Sequence, residues 1–108
     1  MGRLGFGASM KPAILKLARD DLKEIHDRLS GFGIRPAKKF RMSFEKFCIQ
    51  VTSTPYIYSQ FVHNPRYRRA VIEYDYLVFY QIEENTGRVK VFRVLHGKRD
   101  IAPLLNDE

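Results

Sequence analysis

The sequence predicts an α+β domain in two layers, with an N-terminal strand, a helical hairpin and then a C-terminal antiparallel β-meander, on three observations. Apolar residues recur at helical spacing twice in the first half: Ala18, Leu22, Ile25 and Leu29, then Phe40, Phe44, Phe47, Cys48 and Val51. Beyond residue 66 the period changes to two. Val78, Tyr80 and Ile82 fall on one face and Leu77, Phe79 and Gln81 on the other, while Val89, Val91, Arg93 and Leu95 alternate with Lys90, Phe92, Val94 and His96. Between these two runs, Glu84 to Gly87 supplies a hairpin turn, with Gly87 free to take the positive φ that closes it.

Taken in order, residues 1–9 hold three of the seven glycines without any period, and read as an arm, with Met10 as an alternative start. Residues 10–108 then form a single domain, because a chain of 108 residues cannot enclose two cores. Pro12 to Leu17 is short and apolar, a first strand that joins a sheet built from the far end of the chain. The first helix follows, with Asp20, Asp21 and Glu24 near its start, where the dipole favours acids, and Gly31 and Gly33 at its end. Pro36 suits the first turn of the second helix, so the two pack as an antiparallel hairpin. Thr52 to Pro65 breaks both periods and serves as the return loop, carrying Tyr56, Tyr58 and Phe61. Tyr67 to Glu73 is the next strand, Tyr74-Asp75 a tight turn, and Asp100 to Leu105 a last turn that packs Ile101, Leu104 and Leu105. The sheet face away from the helices is expected to be partly open, lined with Tyr and Arg.

Composition narrows the function. With 44% apolar and 29% charged residues the chain suits a folded domain rather than a disordered one. No apolar run approaches the roughly 20 residues that span a bilayer, and the start lacks a secretory signal, so no membrane role and a cytoplasmic location are expected. The single cysteine, Cys48, excludes an internal disulfide and reads as a small core hydrophobe rather than a nucleophile. His26 and His63 have no ligand at metal spacing, and no cofactor is expected. A net charge of +7 favours an acidic partner: nucleic acid, a ribosome or an acidic protein segment.

Arg66, Arg68, Arg69, Arg93, Lys98 and Arg99 come from different strands and could converge at one end of the sheet. There they would bind phosphate or carboxylate by bidentate contacts; alternatively they are a solvated face. Lys38, Lys39, Arg41 and Lys46 read as a solvated helix face. Tyr74, Tyr76, Phe79 and Tyr80 read as sheet packing more than as platforms for bases. For His96 a structural or partner-contact role is favoured over a catalytic one.

The ordered pattern Y-R-R (67–69), Y-x-V-F-Y-x-I-E (76–83), V-x-V-x-R-V-L-H-G-x-R-D-I-x-x-L-L (from Val89 to Leu105) resembles the toxins of the ParE/RelE superfamily, on the ParE-like, plasmid-stabilisation side. The likeness covers about Lys11 to Leu105. It implies the toxin of a type II toxin–antitoxin pair, held in check by an antitoxin whose disordered acidic or amphipathic tail wraps the helices and sheet. For ParE-like members the implied target is DNA gyrase, inhibited by binding through Arg68, Arg69, Arg93 and Arg99, with Tyr80 and Leu95 supporting the sheet. The alternative is a RelE-like, ribosome-dependent endoribonuclease of messenger RNA using Arg68, Arg93, His96 and Arg99; a third is an inactive module that only binds antitoxin. Carried over position by position, Arg99 matches a cation of the RelE-like branch and Arg68 stands where a lysine is usual. Ala70 then replaces a second lysine, Leu77 an arginine and Leu105 the tyrosine, which weighs against RelE-type catalysis.

Overall fold

A computed structural model describes residues 11–105, so the arm expected over residues 1–9 lies outside the described residues. The elements are β1 (Ala13–Ile14), α1 (Lys16–Ser30), α2 (Ile34–Ser53), β2 (Arg68–Ile72), β3 (Tyr76–Ile82) and β4 (Val89–His96), with 3-10 turns at Glu73–Asp75 and Ala102–Leu105. The sheet is four-stranded in the order β1-β4-β3-β2. Pairing is antiparallel except that β1 runs parallel to β4, Ala13 opposite Lys90 and Ile14 opposite Val91. The expected helical hairpin and meander are both present.

The first strand is shorter than Pro12 to Leu17, because the chain enters α1 already at Lys16. That shift moves Asp20 and Asp21 into the second turn, away from the helix end. On the solvent side Lys16–Asp20, Lys23–Asp27 and Glu24–Arg28 make exposed ion pairs one turn apart, which contribute only a few tenths of a kcal/mol each, ~0.3–0.5. On the inner side Ala18, Ile25 and Leu29 are buried. The hairpin turns at Gly33, whose φ of 129° is open to glycine alone in practice. From there α2 buries Ala37, Phe40, Phe47 and Val51.

These helix stripes close on Tyr76, Val78 and Tyr80 of β3 and Val89, Val91 and Val94 of β4. Edge-to-face ring contacts fix the alignment, Phe40 on Tyr76 at 5.3 Å and Phe47 on Tyr80 at 5.6 Å between centroids. Val89, Val91 and Val94 cannot share a face in a regular strand. A β-bulge explains them: Phe79 pairs with Arg93 but Tyr80 with Val91, leaving Phe92 as the extra residue. The strict alternation expected for β4 therefore holds only to Val91.

The opposite face corrects the sequence expectation. Instead of an open surface of Tyr and Arg, it carries a second apolar cluster in which Phe61, Tyr67, Phe79, Leu95 and Leu105 are buried and Leu77, Phe92, Ile101 and Leu104 pack around them. Leu77, Phe79, Phe92 and Leu95 are too apolar to leave to water, so the return loop and the last turn cover them. Phe61 meets Phe79 at 5.1 Å and Tyr67 meets Phe92 at 5.3 Å, and the Tyr67 hydroxyl donates to the Leu105 carbonyl at 3.4 Å. Between β2 and β3, Tyr74 and Asp75 both take φ of 62°, making the tight turn that their position suggested.

Candidate functional site

The predicted cations do not meet at one end of the sheet. Arg68 pairs with Tyr80 near one end of β3, and His96 with Tyr76 at the other. Four residues along a strand at about 3.3 Å each separate them by ~13 Å. Lys98 and Arg99 follow His96 and are exposed beyond that second end, where the Gly97 N–H donates to the Asp75 carbonyl and the Arg99 N–H to the His96 carbonyl. Arg69 is exposed and, as the strand neighbour of Arg68, points to the reverse face. Arg66 lies with Arg68 at the first end.

Arg93 stands apart at the other edge of the sheet, turned by the bulge toward α1. Its Nε and Nη2 donate to the two oxygens of Asp21 at 2.8 and 2.9 Å, a bidentate pair with side chains only 15% and 8% exposed. The hydrogen bonds that Arg93 donates to Asp21 raise its pKa further still. Asp21 also accepts the Val94 N–H at 2.9 Å, satisfying β4 where the short β1 no longer reaches it. The third guanidinium nitrogen, Nη1, donates to the Leu104 carbonyl at 3.1 Å. The Asp21–Arg93 pair thus ties α1, β4 and the last turn together. Asp21 was read from sequence as a helix-start acid; its place on the Ala18, Leu22, Ile25, Leu29 stripe was the signal of an internal partner.

His96 lies edge-on to Tyr76 at 5.0 Å, its Nδ1 accepting the Lys98 N–H at 3.1 Å, and the Tyr76 hydroxyl accepts from Arg28 Nη1 at 3.1 Å. Tyr80 is fully buried and donates to the Pro55 carbonyl at 2.9 Å; burial pushes its phenol up to about 12. Burial, aided by Glu45, likewise pushes the Cys48 thiol up to about 11, which suits packing rather than nucleophilic attack. Among the described residues no group of three or more His, Cys, Asp or Glu could hold a metal ion.

The family model described as ParE toxin of type II toxin-antitoxin system, parDE, matches residues 13–101, from β1 to the turn that follows Arg99. This chain belongs to the ParE toxin family. No curated protein matches it. Membership makes this ParE-family protein the toxin of a type II toxin–antitoxin system and implies an antitoxin partner. No helix among its described residues is long and apolar enough to cross a membrane.

Two surface clefts mark this ParE-family toxin. An apolar one of about 1050 Å³ lies between β1 and α2, lined by Pro12, Ile14, Phe44, Cys48 and Ile49 with Lys11, Arg41 and Glu45. A polar one of about 350 Å³ is lined by Tyr56, Gln60, Pro65, Arg66, Arg68, Gln81, Ile82 and Glu84. In the polar cleft Arg68 Nη1 donates to the Tyr58 carbonyl at 2.8 Å, and its guanidinium lies 4.8 Å from the centre of the Tyr56 ring. Sequence reasoning found both arginines but gave no site role to Tyr56, Gln60 or Gln81: Tyr56 and Gln60 belong to a loop without period, and Gln81 reads only as one more member of an alternating strand.

Proposed function

We propose that this toxin arrests growth by binding DNA gyrase in the cytoplasm and that a cognate antitoxin neutralises it by wrapping its surface. The supporting observation is the dispersal of the residues that a nuclease would need together. Cleavage by 2′-hydroxyl attack requires a base, cations on the phosphorane and an acid around one phosphate. Arg93 is taken up by Asp21, Arg68 lies about 13 Å along the sheet from the strand position of His96, and Arg99 is exposed beyond His96. A binding inhibitor needs no such convergence, only surfaces. For the antitoxin, the apolar cleft beside β1, lined also by Lys11 and Arg41, suits an acidic, amphipathic segment that folds as it binds.

The test is induction in bacteria without antitoxin, with newly formed messenger RNA 5′ ends mapped and gyrase supercoiling assayed with purified protein. Growth arrest with inhibited supercoiling and no new cuts is expected. Codon-phased cuts that vanish in Arg99→Ala would overturn the proposal in favour of a ribosome-dependent endoribonuclease. Absence of arrest alongside tight antitoxin binding would make it an inactive module.

A further inference from the structure

The helical hairpin ends in an apolar tip. Helix α1 stops at Ser30 and α2 begins at Ile34, and at this apex Phe32 is 77% and Ile34 86% exposed. Side chains added at Gly31 or Gly33, on either side of Phe32, would meet only the Arg28 carbonyl and Pro36, both of the hairpin itself. No other described part of the chain therefore closes over the apex at these two positions. A single apolar side chain in water needs no explanation, but two neighbours at a bare turn ask what they meet.

The charge around them is of one sign. From Arg28 to Phe44 the sequence has five cations, Arg28, Arg35, Lys38, Lys39 and Arg41, and no acid. Arg28, Lys39 and Arg41 reach Glu24, Glu73 and Glu45. Arg35 and Lys38 are exposed, and among the described residues no acid lies within ion-pair distance of either. On α1 the acid nearest the tip, Asp27, is taken by Lys23. On α2 the first acid, Glu45, lies about three turns beyond Ile34. Lys38 follows Ile34 by one turn, so the two share a face of α2 about 6 Å apart along its axis.

Apolar side chains at an apex with unpaired cations just behind them fit a surface that is anionic outside and apolar beneath. A nucleic acid backbone would take the cations and leave Phe32 and Ile34 in water. We propose that the α1–α2 tip docks on an anionic phospholipid bilayer, Phe32 and Ile34 entering the acyl boundary while Arg35 and Lys38 meet the headgroup phosphates. The expectation of no membrane role rested on the absence of a span, and surface attachment requires none. With two apolar side chains the attachment is weak and reversible. It rests on neither the gyrase reading nor the antitoxin.

The full chain has no tryptophan, so Phe32→Trp places a single fluorescent reporter at the tip. Vesicles of phosphatidylglycerol and phosphatidylcholine in equal parts should shift its emission to shorter wavelength, and phosphatidylcholine vesicles should not. In co-sedimentation with the anionic vesicles, Phe32→Ser combined with Ile34→Ser should weaken binding about tenfold, the fold being kept because both side chains are exposed. Lys38→Glu and Lys46→Glu change the net charge alike, and both lysines are exposed on α2. Only a site at the tip separates them: Lys38→Glu should cost about fivefold or more and Lys46→Glu less than about twofold. Equal losses from these two, binding unaffected by the serine pair, an unshifted emission, or a larger shift with a short DNA duplex than with the vesicles would overturn the proposal. Neither assay reads growth arrest or supercoiling, so failure here and failure of the gyrase reading are separate results.

Discussion

Asp21 accepts three hydrogen bonds in a site largely shielded from water, two from Arg93 and one from the Val94 N–H. Removing one member of such a buried pair leaves the other charge uncompensated, which outweighs anything the pair itself contributed. Asp21→Asn keeps an acceptor for Val94 yet loses the charge, and should cost about 3–5 kcal/mol in urea unfolding. A loss under about 1 kcal/mol would show that the pair is solvated in solution. The residue was legible in the sequence only as a misfit, an acid on an apolar helical stripe. Its partner was not, because Arg93 alternated with Val91 and Leu95 as if it belonged to an ordinary strand, and only the bulge turns it toward α1. The cations of the candidate site were all named from sequence; their separation depended on the register of β2 and β4 against β3, which no single strand encodes.

At the level of elements, the helices and the meander were readable because each buries a continuous periodic face, and such faces are determined locally. The cover of the second face was not readable. Phe61 comes from a loop without period and Leu105 from the last turn, and both find their places only against Phe79, Phe92 and Leu95. The last turn is nevertheless a structural part: Leu105 is 2% exposed, its carbonyl accepts from Tyr67, and the neighbouring Leu104 carbonyl accepts from Arg93. Leu105→Ala should therefore cost about 2–5 kcal/mol, the range for a leucine removed from a packed core. Denaturant unfolding measures it; a near-neutral variant would mean that the second cluster collapses around the gap.

For the molecule as a whole, the buried Tyr80 phenol makes stability sensitive to alkali. Its pKa is raised from 10.0 to about 12 in the fold, so the fold favours the protonated form. That contribution is complete below pH 10.0 and is lost as pH rises from there toward about 12, because the unfolded chain releases the proton first. Cys48, raised from 9.0 to about 11, acts in the same direction. Unfolding free energies measured from pH 8 to 12 should fall less steeply in Tyr80→Phe than in the parent chain, and parallel slopes would contradict the assignment. The order of the strands has a further consequence, for synthesis. The second element of the sheet to be joined on both sides, β4, is the last strand made, yet β1 and β3 both depend on it. The contact between Ala13 and Lys90 spans most of the chain, so closure waits until nearly the whole protein is available. A chain that stops before Val89 lacks the strand that joins β1 to β3 and the Val89, Val91 and Val94 layer beneath the helices, so the helix stripes stay half covered and a shortened chain is not expected to hold the fold.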